Sequence, residues 1–269
     1  MKSDTKKQEE GVVVDKEEKP KSRHDAVTGA LHEEPIQPEH SASDWKRFLK
    51  GSQFHDHPLA YLPGIYLFIG SLGCGKSTAV HGILSELDAI MEPKNRGKVL
   101  YYSGSGSDKM LDAYDDSVVQ KFDKRSKQSF LTAVSEINND AATTPHNKKK
   151  HNIVVVDDGI LDPDLLPASV KGDSPIMQLI MSSRHTPASV LLTSQKHSAI
   201  PSFCRANANH VFVFKTKSPA ELESIMRDVS FAKDEFKKSM NSLTDPGDFL
   251  WAQNRNSKLI KGFTQGLVR

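Results

Sequence analysis

Cysteine is scarce in this sequence, and its scarcity excludes several kinds of protein. The chain has two cysteines in 269 residues, Cys74 inside a glycine-rich segment and Cys204 far downstream. They form neither a metal-ligand pattern nor a disulfide framework, which favours a reducing compartment. No apolar run approaches membrane-spanning length, and no secretory signal is evident. We therefore expect a soluble intracellular protein that does not contact a membrane.

Neither sign of charge dominates the chain. Lysine and arginine number 36 against 34 acidic residues, a net charge of +2, so global charge neither favours nor excludes a nucleic-acid partner. Two local clusters are more informative: residues 148–150 are three lysines, and residues 250–269 contain four cations and no acid. Each cluster suits contacts with DNA phosphates, and each also suits a solvated surface.

The N-terminal 45 residues differ in composition from the remainder. They mix charges densely around few large apolar residues, so they cannot bury enough surface to offset the entropy of ordering. We predict a disordered charged tail over residues 1–45, either a solvated extension or a tether for a partner protein. The remaining residues, 46–269, suffice for one domain with a sizeable core.

A phosphate-binding loop is the strongest motif. Residues 70–78 fit the pattern G-x-x-x-x-G-K-[ST] without a gap, between an apolar run of strand length and a predicted helix over 77–84. In this context backbone N–H groups close around phosphate oxygens at a helix N-terminus. Lys76 is expected on the β and γ phosphates, and Ser77 is expected to supply a hydroxyl to Mg²⁺. The predicted ATP-binding residues are Gly70, Ser71, Leu72, Gly73, Cys74, Gly75, Lys76, Ser77 and Thr78.

Apolar runs recur at the spacing of an α/β domain. Their continuous apolar character indicates burial on both faces, hence a mainly parallel sheet with helices on both sides. Predicted strands cover residues 64–69, 98–103, 152–157, 188–193 and 210–215. Predicted helices cover 128–139, 174–184 and 218–228, the last with a helix-start signal at Ser218 and an acidic residue, Glu221, three positions on. Residues 249–253 and 258–263 predict a C-terminal β-hairpin.

Polar residues end two of these strands. Asp157 and Asp158 follow the apolar run 153–156, at the strand end where ligands of open α/β sheets bind. We expect Asp157 to hold Mg²⁺ through water and Asp158 to orient or activate the attacking water. Gln195 ends a strand that we expect to lie between the loop strand and the carboxylate strand, within reach of the γ phosphate. Turn aspartates and a solvated strand-end glutamine are the structural alternatives.

These motifs resemble the viral DNA-packaging ATPases of the poxvirus and giant-virus type, in the FtsK/HerA branch of P-loop NTPases. The resemblance covers roughly residues 60–265 and includes the loop and the segment 154–158. Its most specific part is a downstream block, which comprises Ser183, Arg184, His185, Ser194, Gln195, Ile200, Pro201, Arg205 and Asn207. Asp158 stands where many translocases of this superfamily carry a glutamate, whose side chain is one methylene longer.

The resemblance implies a RecA-like (ASCE) ATPase that translocates double-stranded DNA into a viral capsid. It also implies a homo-hexameric ring and an arginine supplied across the subunit boundary, a role that either Arg184 or Arg205 could carry, although either could instead be a surface cation. Capsid proteins are possible partners of the tail. The expected location is the host cytoplasm or virus factory, or the virion itself.

Rival functions share the phosphate loop. A GTP-binding switch needs an Asn-Lys-x-Asp segment after a strand, and a transporter subunit needs Leu-Ser-Gly-Gly; the chain has neither. A replication helicase or a kinase remains an alternative, although a polar strand-end Gln195 fits a water-activating motor better. The non-enzymatic alternative is a scaffold that binds ATP in order to assemble with other proteins.

Overall fold

Eight strands form one sheet across the described part of the chain. The structure is a computed structural model and describes residues 63–106, 109–168, 174–183, 185–216, 218–229, 231–245, 247–254 and 258–262. The strands are β1 (Ile65–Ile69), β2 (Arg96–Ser103), β3 (Gln120–Phe122), β4 (His151–Asp157), β5 (Ala188–Ser194), β6 (His210–Phe214), β7 (Phe249–Gln253) and β8 (Lys258–Lys261). Their order in the sheet is β3-β2-β4-β5-β1-β6-β7-β8.

The sheet is parallel from β3 to β6, and β7 and β8 continue it as an antiparallel hairpin. Strand β5 lies between β1 and β4, as the sequence predicted for the strand that ends before Gln195. The carboxyl ends of β1, β2, β4 and β5 therefore meet at one edge of the sheet. The predicted α/β fold of the P-loop NTPase type, with its C-terminal hairpin, is confirmed.

Helices cover both faces of the sheet. They are α1 (Lys76–Ser85), α2 (Leu87–Ile90), α3 (Lys127–Thr143), α4 (Pro175–Met181), α5 (Ser202–Asn207), α6 (Pro219–Asp228) and α7 (Lys233–Asn241). Strand β1 shows the two-sided burial, since Ile65, Leu67 and Ile69 join a core with α3 to α7 while Tyr66 and Phe68 join a core with α1 and α2. This burial explains the continuous apolar run of β1.

Several elements differ from the sequence-based expectation. Strand β3 was not predicted, because it is three residues long and partly exposed at the sheet edge. Helix α7 was not predicted either, because only Phe236 and Met240, four positions apart, are buried in it. The predicted helix over 174–184 is shorter than expected and ends at Met181.

The start of α6 fulfils its prediction in part. Ser218 is the N-cap, and its hydroxyl accepts a hydrogen bond from the backbone N–H of Glu221 at 3.3 Å. The Glu221 carboxylate does not return to Ser218, as a capping box would require. It accepts instead from the backbone N–H of His197, in the segment that follows β5. Helix α6 is thereby joined to the chain just after Gln195.

The predicted tail over residues 1–45 lies outside the described residues. Within the described part of the chain, every helix is too short or too polar to cross a lipid bilayer.

Candidate nucleotide site

The phosphate loop joins β1 directly to α1. Gly73 and Gly75 adopt φ angles of 73° and 99°, a region that costs glycine little and most other residues considerably more. Gly75 in this conformation is also the N-cap of α1. The positive φ angles let the loop turn back on itself before the helix begins, so that the N-terminus of α1 opens into the turn.

Lys76 points into this turn. Its side chain is 5% exposed, and Nζ donates hydrogen bonds to the carbonyl oxygens of Gly70 at 2.9 Å and Ser71 at 3.0 Å. The ammonium is therefore held by the loop that precedes it, inside the concave side of the turn. A cation in this position provides charge for an anionic ligand that the loop N–H groups also bind.

Asp157 accepts hydrogen bonds from three hydroxyl groups. Its side chain is 3% exposed. Oδ2 accepts from Ser77 Oγ and from Tyr101 Oη, each at 3.0 Å, and Oδ1 accepts from Thr193 Oγ1 at 2.5 Å. The loop serine and the first strand-end carboxylate, 80 positions apart in sequence, are thus in direct contact.

The Ser77 and Asp157 pair fits Mg²⁺. One hydroxyl and one carboxylate suit an ion that keeps several waters and takes its remaining ligands from nucleotide phosphates. Among the described residues no three His, Cys, Asp or Glu side chains are grouped as an all-protein metal cage.

Asp158 lies at the same edge and is more exposed than Asp157, although still partly covered. It is the one non-glycine residue with positive φ among those described, at 50°, and its backbone N–H donates to Thr193 Oγ1 at 3.0 Å. Partial burial and the neighbouring charge of Asp157 raise the pKa of the Asp158 carboxyl, and the charge of Lys76 and a hydrogen bond from Gln195 oppose this rise. The structure therefore brings Asp158 and Gln195 together.

The sequence did not indicate Tyr101 or Thr193 as site residues. Both lie within apolar strand segments, where the sequence pattern predicts a core position for any residue, including one that carries a hydroxyl. The register of the sheet reveals their position, because Ser103 of β2 lies opposite Asp157 and Leu192 of β5 lies opposite Val156. Only the three-dimensional pairing of β2, β4 and β5 places these hydroxyls on one carboxylate.

The structure does not bring Arg205 into this group. Arg205 Nε donates to Asp228 at 2.7 Å and Nη1 donates to the Ile200 carbonyl at 2.6 Å. His197 Nε2 lies 3.3 Å from the same Asp228 carboxylate, so these residues form a separate polar cluster beside α6. The other candidate, Arg184, lies outside the described residues.

Several solved ATPases share this fold. The genome packaging NTPase B204 from Sulfolobus turreted icosahedral virus 2, solved with AMPPCP, is 18% identical and aligns over 74% of this chain and 96% of its own, with a TM-score of 0.52. The DNA-packaging ATPase B204 from Sulfolobus turreted icosahedral virus aligns over the same shares with 18% identity and a TM-score of 0.55. EssC (ATPases 2 and 3) from Geobacillus thermodenitrificans is 16% identical and aligns over 74% of this chain and 39% of EssC, with a TM-score of 0.50.

No family model matches the sequence, and no curated protein matches it. At these identities the structural likeness shows the fold alone. Proteins of the kind that the sequence resembles, the viral packaging ATPases, are nevertheless among those that share it.

The contact between Asp158 and Gln195 gives a testable prediction. Gln195→Leu should raise the pKa of Asp158 further, because the hydrogen bond from Gln195 stabilises the charged carboxylate. Carboxyl-carbon NMR titration measures this pKa in both proteins. Asp248 is the internal reference, since its pKa is lowered by backbone N–H donors at Asp245 and Thr244 and by nearby lysines, and Gln195 is not among these causes. An unchanged or lowered pKa of Asp158 in the variant contradicts the assignment.

Proposed function

We propose that this protein is an ATPase that translocates double-stranded DNA and packages a viral genome into a capsid. The observation that carries the ATPase part is the hydrogen bond between Ser77 and Asp157, which joins the phosphate loop to the carboxylate strand beside Asp158 and Gln195. A loop, a metal-binding pair and a polar pair at the position of an attacking water are the parts that ATP hydrolysis needs.

Each residue has a role in the proposed reaction. The loop N–H groups and Lys76 bind the β and γ phosphates and stabilise the charge that develops there. Ser77 and Asp157 would hold Mg²⁺, which when bound would neutralise phosphate charge. Asp158 accepts the proton of the attacking water, and Gln195 orients that water or senses the γ phosphate. The raised pKa of Asp158 brings it closer to the range of an effective base.

The fold does not choose between nucleic-acid and protein substrates, because solved proteins that share it include a packaging ATPase and EccC, a type VII secretion ATPase. Two other features support DNA and packaging. The first is the downstream sequence block with Arg184, Gln195 and Arg205 that resembles the packaging family. The second is a basic cleft at the sheet edge opposite the nucleotide site.

This basic cleft, defined here by Arg96, Lys98 and residues 148–150, has a volume of about 380 Å³. Arg96 and Lys98 pair with Asp88 and Glu136, each at 2.5 Å. Lys148 and Lys150 are exposed, and within the described residues neither has an acidic partner. Asp140 also lines the cleft, but the basic residues outnumber it, so the lining suits contacts with a phosphate backbone.

The proposal includes a homo-hexameric ring, with an arginine acting across the subunit boundary. Arg205 is already bound to Asp228 and Ile200 of its own chain, which favours a structural role and leaves Arg184 as the stronger candidate. We further propose a domain over 46–269 and a charged tail over 1–45 that contacts capsid proteins. The proposed location is soluble and intracellular, in the host cytoplasm or virus factory, or in the virion.

A first test of the proposed function separates the roles of the Asp157 and Asp158 carboxylates. Asp157→Asn should weaken the Mg²⁺-dependent part of ATP binding, whereas Asp158→Asn should keep Mg²⁺-ATP binding and lose hydrolysis. Lys76→Ala should lower turnover on the order of 100-fold or more, because a charge aimed at the phosphates is lost. Phosphate release and nucleotide titration measure these effects. Asp164→Asn, at an exposed carboxylate paired with Lys127, is the matched control. Parent-like binding and turnover in both strand-end variants would reject the site.

A second prediction concerns the basic cleft. The double variant Lys148→Gln and Lys150→Gln should bind duplex DNA more weakly and show a salt dependence reduced by about 2 in log–log slope. Hydrolysis without DNA should be unchanged. The matched control is Lys237→Gln with Lys238→Gln, two exposed lysines of α7. Fluorescence anisotropy with labelled duplex DNA measures the affinity. Equal losses in both double variants would show a general charge effect and contradict a DNA site in this cleft.

A third prediction tests the ring against a monomeric enzyme or an ATP-binding scaffold. Arg184→Ala subunits should bind ATP and assemble yet turn over about 10³-fold or more slowly. Mixing them with Lys76→Ala subunits, which retain the arginine, should restore some activity at shared interfaces. Arg205→Ala should mainly lower stability, as Asp228→Asn should, because both remove the same ion pair. Turnover per subunit that is constant down to monomer concentrations excludes the ring, and absence of any turnover favours the scaffold.

A further inference from the structure

Tyr101 is a buried residue of β2 that touches the candidate nucleotide site. Its side chain is fully buried, and Oη donates to Asp157 Oδ2 at 3.0 Å. Ser77 donates to the same oxygen, and Thr193 donates to the other. Tyr101 and Thr193 therefore bind different oxygens of one carboxylate, from the two strands that flank β4. Two donors on two oxygens fix the plane of the carboxylate independently of the loop.

The Tyr101 ring also contacts the helix that follows the phosphate loop. It stacks on His81 of α1, with ring centroids 5.3 Å apart and planes inclined by 17°. The His81 ring also stacks on Tyr114, with ring centroids 5.6 Å apart and planes inclined by 19°. The Tyr114 hydroxyl donates to the His81 carbonyl oxygen at 2.9 Å. His81 lies one helical turn after Ser77, so this stack holds the helix segment that carries the predicted metal ligand.

We propose that Tyr101 is a positioning residue for the metal site, an inference that rests on the proposed nucleotide site. Its hydroxyl sets the orientation of Asp157, and its ring sets the distance of α1 from β2. One side chain thereby aligns the two predicted metal-binding groups, which come from elements 80 positions apart in sequence. A carboxylate and a hydroxyl aligned before the metal arrives lose less entropy when they bind it.

The hydroxyl is the part of Tyr101 that a conservative substitution isolates. Tyr101→Phe removes Oη and retains the ring that stacks on His81. The matched control is Tyr102→Phe, which deletes the same atom from the next residue. Tyr102 faces the opposite side of the sheet and packs against Phe130, with ring centroids 5.2 Å apart. Both substitutions preserve the volume of a buried aromatic ring, so neither creates a large cavity.

The test measures ATP affinity by fluorescent-nucleotide titration, once with Mg²⁺ and once with EDTA. In Tyr101→Phe the gain in affinity that Mg²⁺ provides should fall by about 10-fold, because outer partners of metal ligands typically have effects of this size. Affinity in EDTA should remain that of the parent. Tyr102→Phe should leave both affinities unchanged. A double-mutant cycle adds a second test, since Tyr101→Phe should have no further effect on the Mg²⁺ gain in an Asp157→Asn background.

Two results would overturn the proposal for Tyr101 alone. One is an unchanged Mg²⁺ gain in Tyr101→Phe when the parent shows that gain and hydrolyses ATP. The other is an equal loss of affinity with and without Mg²⁺, which would indicate a structural role. A parent protein whose ATP affinity does not depend on Mg²⁺ would instead overturn the proposed metal site, and the inference on Tyr101 with it.

Discussion

The carboxylate of Asp157 is the group on which the arrangement of the candidate site depends. A charged side chain that is 3% exposed is costly unless its oxygens are hydrogen-bonded. Here the donors come from α1, β2 and β5, through Ser77, Tyr101 and Thr193. The need to satisfy one buried charge thus joins the phosphate loop to three adjacent strands. If any of these elements shifted, a donor or acceptor would be left unpaired at the edge where the nucleotide is proposed to bind.

The insertion of β5 between β1 and β4 makes these contacts with Asp157 possible. Without it the loop strand and the carboxylate strand would be neighbours, and neither Thr193 nor Gln195 would lie beside Asp157 and Asp158. Thr193 acts in two directions, since its hydroxyl donates to the Asp157 carboxylate and accepts from the Asp158 backbone. That second bond holds Asp158 at its positive φ, a conformation that aspartate tolerates better than most residues. The buried Asp157 carboxylate thus helps, through Thr193, to fix the backbone that positions the more exposed Asp158 carboxylate.

Local patterns predicted the parts of this site whose chemistry lies in consecutive residues. The phosphate loop could be predicted from residues 70–78 because phosphate binding requires its glycines, lysine and serine at fixed spacing. The mainly parallel sheet could be predicted from continuous apolar runs. Tyr101 and Thr193 could not be found this way, because a hydroxyl in a buried strand gains its meaning from strand register, which no local pattern encodes. Glu221 shows the same limit: its backbone N–H bonds to the Ser218 hydroxyl, as the spacing predicted, but its carboxylate accepts from the His197 backbone, a contact that depends on tertiary packing.

The strand β4 connects two chemically different edges of the sheet. It begins at His151, next to the lysines of the basic cleft, and ends at Asp157 in the nucleotide site. Seven residues of extended strand span about 20 Å, and β4 is hydrogen-bonded on both sides, with one register shift against β2 near the cleft. Motion of the sheet as a body is one way in which a change at the phosphates could reach a partner bound at the cleft. Such a motion needs a second surface to move against, which a neighbouring subunit of the proposed ring would provide.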